Sequence, residues 1–397
     1  MDPQPQPSPA LNSAGKALRD HILLHPYGYI GSMEKRTQKL WIREGIYLED
    51  RDVTYVPGLL RIFDEILIYA TENKQRDPTM NALRVDVDVA NCRISVYYHG
   101  KGIPIEVNTK KGVYMPEIIF GHLSNCDNNV KEEDITGRRN GYGVKLTNIF
   151  STEFVVETAD GRKQKKYKQV FSEHMEKKSE PEITGYRKGV NWSWTMVTFK
   201  PDLAKFNMTH LEEDDVALMR KRVFDMAGFL GATTQVVFNG KEIYVPGGFS
   251  NYVYQYIKPG SKYGFPDHPW VYEKVNDQWE VVASVSGGQF EQVSFVNKVA
   301  TISGGTHVDY VSNLIVAHAV SFMKDKLMMA NIEEHDVKRH LMVFINVLME
   351  NPTFSSPNKE ALITPQEDFG PELKFSDRFL GRASVSLLRK LSECIFA

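Results

Sequence analysis

Glu65 is the residue from which chemistry could start. It lies in residues 59–73, LLRIFDEILIYATEN, whose apolar positions 59, 62, 63, 66, 67 and 70 keep the i, i+3, i+4, i+7 rhythm of a helix with one buried face. The turn Val56-Pro57-Gly58 starts that helix, and the polar run over 73–78 ends it. Glu65, Tyr69 and Glu72 form a stripe beside the apolar face, with Asn73 close by. A carboxylate held rigidly at Glu65 could orient and deprotonate a water. Read alone, the stretch is better described as an ordinary amphipathic surface helix.

Two glycine-rich stretches change that reading. His99-Gly100-Lys101-Gly102-Ile103-Pro104 follows the alternating strand pattern of 93–98. Thr136-Gly137-Arg138-Arg139-Asn140-Gly141-Tyr142-Gly143-Val144-Lys145 leads into the apolar run 146–150. Backbone N–H groups at the start of a helix make a ready anion cradle. A carboxylate on a helix, a strand ending in GxG and a glycine-rich lid before another helix together resemble the GHKL ATPase core. The strings RNGYG, KLTNIFS and FVNKVATISGGTHVDYV narrow the resemblance to the N-terminal ATPase and transducer region of eukaryotic, plant-like type IIA DNA topoisomerases. It runs from about Leu18 to about Leu380.

The resemblance implies an α+β chain. A disordered N-terminal arm over 1–15, with Pro3, Pro5, Pro7 and Pro9, precedes a GHKL (Bergerat-type) α/β sandwich over 16–245. A transducer domain of the ribosomal-S5-like type over 246–397 follows, truncated before the DNA-cleavage core, so that this polypeptide alone is not expected to cut DNA.

It also implies ATP and Mg2+ as cofactors and assigns the site residue by residue. Glu65 stands at the water-activating position, and Lys359 at that of a transducer cation reaching the terminal phosphate. Asn73, Gly100, Gly102, Ser124, Asn125, Arg139, Asn140, Gly141, Tyr142, Gly143 and Lys145 match nucleotide-contacting positions. Several positions depart from the pattern. Tyr69 replaces the amide that binds magnesium, and a neutral phenol is a poor ligand for a hard cation. Tyr98 replaces the acceptor for the adenine amino group, and Arg138 replaces a glycine. The lid LLTSSN is reduced to Leu123-Ser124-Asn125, and Pro357 replaces a glutamine two residues before Lys359. The expected outcome is impaired ATP binding and turnover.

Partners follow the same logic. In the family the arm places a tyrosine in the partner's nucleotide site, but the matching position here is about Ser13. A weak homodimer, or a heterodimer with a full-length topoisomerase, is the expectation. The loop Lys324-Asp325-Lys326-Leu327-Met328-Met329 has few cations left for DNA, and the net charge of −2 gives no general argument for nucleic acid. The family places the protein in the nucleus, otherwise in the cytoplasm. Three scattered cysteines without a CxxC fit a reduced compartment and argue against zinc. No apolar run is long enough for a membrane span. The basic cluster Arg162-Lys163-Gln164-Lys165-Lys166 reads as a solvated hairpin rather than a nuclear signal. Three functions compete: a weak ATPase clamp, a pseudo-ATPase binding module, and a truncated duplicate without a selected role.

The remaining pattern predicts strands at 85–89, 93–98, 153–158, 166–171, 195–201, 234–238, 279–286 and 292–296. It predicts helices at 115–123, 218–230, 308–326 and 335–349.

Overall fold

The computed structural model describes residues 8–9, 11–45, 47–123, 142–186, 192–257, 269–327 and 331–396. The chain forms two compact units, one of Met1–Ile42 with Arg51–Val245 and one of Arg43–Asp50 with Pro246–Ala397.

In the first unit, β1 (Ser8–Pro9) pairs with a later edge strand, and α1 (Ser13–Leu24) follows, capped by the Asn12 side chain accepting from the Gly15 N–H at 2.8 Å. The arm expected to be disordered over 1–15 is therefore ordered from Ser8–Pro9 where it adds to a sheet, and helical from Ser13 because Asn12 supplies a cap. The hairpin β2 (Arg36–Glu44) and β3 (Tyr47–Tyr55) pairs only with itself. Then come α2 (Pro57–Arg76), β4 (Ala82–Asp88), β5 (Arg93–His99), α3 (Met115–Gly121) and α4 (Gly143–Ile149). The meander β6 (Ser151–Asp160), β7 (Lys165–Ser172), β8 (Lys177–Lys178), β9 (Glu182–Gly185) and β10 (Trp194–Pro201) leads to α5 (Glu213–Leu230). The unit closes with β11 (Gln235–Phe238) and β12 (Lys241–Glu242).

These strands build one sheet in the order β1-β8-β7-β6-β10-β5-β4-β11-β12, with β9 on β7. Burial alternates with period two along β5 and β10, so one face is covered and the other is not. The covered face carries Tyr98, Thr195, Phe154 and Phe171, against which α2, α3 and α4 pack. Two side chains lock α4 in place. Thr147 Oγ1 donates to the Ile62 carbonyl of α2 at 2.7 Å, and Asn148 Nδ2 to the Phe120 carbonyl of α3 at 2.9 Å. Helix α5 begins earlier than its apolar period suggests, because Glu212 and Asp215 form a capping box.

The second unit contains α6 (Phe249–Ile257), β13 (Val271–Lys274), β14 (Trp279–Val285), β15 (Glu291–Val296), β16 (Val299–Ala300), α7 (Thr306–Leu327), α8 (Glu334–Lys338), β17 (Leu341–Val347) and α9 (Asp377–Phe396). Its sheet runs β13-β14-β17-β15-β16. The helix expected over 335–349 is not present as such. Helix α8 is five residues long, and LMVFINV is the central strand of the sheet. A continuous apolar run buried on both faces carries no strand alternation, so periodicity cannot separate it from a helix. The β-branched Val343, Ile345 and Val347 were the available signal.

Candidate functional site

Helix α2 presents two kinds of buried polar side chain. Glu65 is 1% exposed, and its Oε1 accepts from Nη2 of Arg61 one turn earlier. Burial lowers the Arg61 guanidinium to about 10, and its Nε and Nη1 have no hydrogen-bond partner. Asp64 takes a bidentate contact from Arg222 Nε of α5, at 2.9 and 3.1 Å. Arg222 Nη1 donates to Asp225 at 2.7 Å, which also accepts from Lys221 Nζ at 2.6 Å. Burial raises the Asp64 carboxyl despite the opposing pull of Arg222. For Arg222, burial works against the charge, yet Asp64 and Asp225 hold it above its ordinary value.

One turn after Glu65 the character changes. Tyr69 and Tyr98 are each 3% exposed. Tyr69 meets the Phe120 ring edge-on at 5.4 Å, and the Arg76 guanidinium lies 5.2 Å over its face. Tyr98, Tyr69, Thr195 and Arg76 lie close enough to influence one another's charge, with burial the largest influence on both phenols. Burial pushes both phenols well above their ordinary range, so neither supplies a phenolate. Thr195 in turn meets the Thr158 hydroxyl at 2.9 Å, and Thr158 donates to the Trp194 carbonyl at 3.0 Å. The two tyrosines thus sit in the buried interior of the sandwich.

The first glycine loop sits at the edge of that interior. Gly100 adopts φ +137, and a Cβ there would lie 2.9 Å from Asp77 Oδ2 and 3.1 Å from Asn73 Nδ2. A Cβ on Gly102 would lie 3.0 Å from both Thr158 Oγ1 and the Ala159 carbonyl. Asn73 is 5% exposed, and its Nδ2 has no partner. Both ring nitrogens of His99 are also without one, and burial lowers its pKa against the pull of Asp77.

Tyr142 caps the start of α4, Gly143 opens it, and Lys145 is buried within it. Ser124, Asn125, Arg138, Arg139, Asn140 and Gly141 lie outside the described residues. In the second unit Lys359 sits at φ +60 in a loop closed by Phe354–Leu362 pairing and tied to Gly305. Its Nζ lies 5.8 Å over the Phe354 ring.

Sequence reasoning missed Arg61, Arg76, Thr158 and Thr195 as neighbours of the site. Arg61 was visible as the i−4 residue of Glu65. The threonines could have been placed by extending the strand alternation through 158 and 195.

The residues present do not fit magnesium at the Tyr69 position, where a buried un-ionised phenol replaces an oxygen ligand already directed at a cation. Among the described residues no group of three His, Cys, Asp or Glu could hold a metal ion. Adenine recognition at Tyr98 fits poorly too, because a buried phenol cannot mimic the paired donor and acceptor of an amide.

The arrangement of the sheet, its helices and the first glycine loop is that of a gyrase B-like ATPase and transducer module, and comparison with known proteins bears this out. The DNA gyrase B family model matches residues 248–379. DNA topoisomerase 2 of Arabidopsis thaliana is 54% identical over 375 residues, covering 94% of this chain and 25% of the relative. The ATPase region of Saccharomyces cerevisiae topoisomerase II superimposes with a TM-score of 0.83 at 40% identity, covering 96% of this chain and 97% of that one. The ATPase and transducer domains of DNA topoisomerase II from Balamuthia mandrillaris give 0.82 at 36% identity, with coverage of 96% and 97%. The chain belongs to the eukaryotic type IIA DNA topoisomerase family, in its ATPase and transducer region. It spans about a quarter of the length of the curated relatives it matches.

Proposed function

We propose that this chain is a topoisomerase-type ATPase and transducer module with impaired nucleotide binding and turnover. In this reading residues 16–245 form the GHKL domain and 246–397 the transducer. The observation that supports it is the burial of two un-ionised phenols, Tyr69 and Tyr98, at the positions where the family resemblance expects a metal ligand and an adenine acceptor. Losing a hydrogen-bonded partner in a buried site costs roughly 1–3 kcal/mol, so two such losses weaken binding by on the order of a hundredfold. Isothermal calorimetry with ATP, with and without magnesium, tests the reading. Weak or absent heat is expected, whereas tight magnesium-dependent binding overturns it.

A second reading is retained because Glu65 and Lys145 stay in the interior, on α2 and α4, where residues of a weak ATPase belong. There Glu65 activates water, Lys359 meets the terminal phosphate, and Asn73, Gly100, Gly102 and the segment 139–145 hold the nucleotide. Either way the module works by association: a weak homodimer, or a heterodimer with a full-length topoisomerase, on DNA and in the nucleus. Sedimentation velocity with and without a non-hydrolysable ATP analogue checks the dimer. The expected result is a mainly monomeric protein that the analogue does not shift. No helix of the described residues is long and apolar enough to cross a membrane.

A further inference from the structure

The open face of the first unit's sheet carries a feature that nucleotide chemistry does not use. On the row where Arg84, Tyr97 and Met196 stand opposite one another, the Arg84 guanidinium lies 5.6 Å over the Tyr97 ring. On the next row, where His99, Trp194, Ala159 and Lys166 stand opposite, Lys166 Nζ lies 5.3 Å over Trp194. The Tyr97 and Trp194 rings are 5.8 Å apart at 33°. Beside them Trp192, 60% exposed, meets His99 edge-on at 5.7 Å, and Trp194 Nε1 donates to the Tyr186 hydroxyl at 3.2 Å.

The basic cluster noted in the sequence is the β6–β7 turn at this same end of the sheet. The Gly161 N–H donates to Ser193 Oγ at 3.1 Å, and the Tyr186 N–H to the Gln164 carbonyl at 2.8 Å, which fixes the turn against the aromatic group. Arg162 and Lys165 are exposed there. The helices α2, α3 and α4 cover the opposite face.

We propose that this face is a docking platform for single-stranded DNA, with unpaired bases stacking on Trp192 and Trp194 and phosphates tracking Arg162, Lys165 and Lys166. Aromatic rings on an uncovered sheet are sequence-tolerant stacking surfaces for unpaired bases, and a cationic rim follows the backbone. A duplex hides its base faces, so the aromatic half of the site selects the single strand. Arg84, stacked on Tyr97, is placed to swing outward to phosphate as a base takes over the ring face, and Lys166 can exchange its 3.0 Å ion pair with Glu157 for a phosphate. Arg162 and Lys165 are the exposed cations of this edge, while Lys163 and Lys166 are paired with Glu106 and Glu157.

The test uses the full chain and labelled oligo(dT), with oligo(rU) and a DNA duplex of the same length, at low and physiological salt. Anisotropy should rise most for oligo(dT), with quenching of tryptophan fluorescence. Trp192→Ala, an exposed position, should weaken binding about tenfold or more, the loss of one stacked base, with an unchanged thermal melt. Lys165→Glu should weaken it too and flatten the salt dependence. Duplex binding as tight as single strand, or sensitivity to Lys165→Glu but not to Trp192→Ala, would reduce the face to a charged surface and overturn the platform. Tighter binding of oligo(rU) overturns the assignment to DNA, and no binding at low salt overturns the site altogether. Trp194→Ala is a supporting variant only, since that ring is partly buried.

Discussion

Helix α2 carries two interiors within four turns, and they solve burial in opposite ways. Toward α5, Asp64 meets Arg222, which also holds Asp225, and each charge has an opposite partner at 3.1 Å or less. Toward the sheet, Tyr69 and Tyr98 are buried and bring no charge, and the Tyr69 ring packs against Phe120 and beneath the Arg76 guanidinium. The charged side is scaffold: it joins two helices. The aromatic side lies where the family resemblance expects a ligand. A buried pair of phenols brings no charge inside, so the second solution needs no ion pair.

Opening the aromatic side gives the largest expected change. Tyr69→Asn with Tyr98→Asn should lower stability by several kcal/mol, since each aromatic truncation in a core costs about 3–5 kcal/mol before any repacking. The same double change should strengthen ATP binding by on the order of a hundredfold. Calorimetry and a thermal melt on one sample read both effects. A variant that melts early and still ignores ATP would place the block elsewhere, in Arg138 or the Ser124-Asn125 segment.

Breaking the charged side should be nearly as severe but silent for ligand. Arg222→Met leaves Asp64 buried without its bonded cation and Asp225 with Lys221 alone, a loss of about 3–5 kcal/mol in urea unfolding. If Arg222→Met altered nucleotide binding at matched folded fraction, the division between scaffold and site would fail.

Glu65→Gln lies between the two. The amide oxygen still accepts from Arg61, but the buried guanidinium loses its counter-charge, so about 1–3 kcal/mol of stability should go. Any ATP hydrolysis, followed by phosphate release, should disappear with it. Turnover that survives the change would mean contamination or another base.

The smallest expected effect is on pH. Burial raises Asp215, at the start of α5, to about 6 from 3.8. The folded state then holds its proton more tightly than the unfolded chain. Stability from this group is therefore greatest below about pH 4 and declines as pH rises to about 6. Asp215→Asn should flatten that slope in melts across the window. The tyrosine pair should contribute no slope there, because both phenols are shifted further from it.

Much of this was legible beforehand, for identifiable reasons. The α2 helix is encoded locally by its apolar period and by Pro57-Gly58, so its extent was readable to within a few residues. The substitutions at Tyr69 and Tyr98 were legible as types, because a motif fixes which position each residue fills. Their mutual contact was not, since it joins a helix to a strand about thirty residues away and depends on rotamers that no local rule sets. The same holds for Asp64 with Arg222, 158 positions apart. The strand β17 was misread because a core strand and a core helix share one signature, an unbroken apolar run.

That strand has a consequence for how the second unit is made. β14 and β15 pair with β13 and β16 on their outer sides and with β17 on their inner sides, so neither finds its inner neighbour until the chain has continued about 45 residues beyond Val296 to Leu341. During synthesis two apolar strands therefore wait with open edges, a state that invites pairing with other chains. A ribosome stalled between α7 and β17 would release a product with a missing centre, and such fragments should be found with chaperones or in inclusion bodies, whereas chains that reach Val347 can close the sheet from the middle outward.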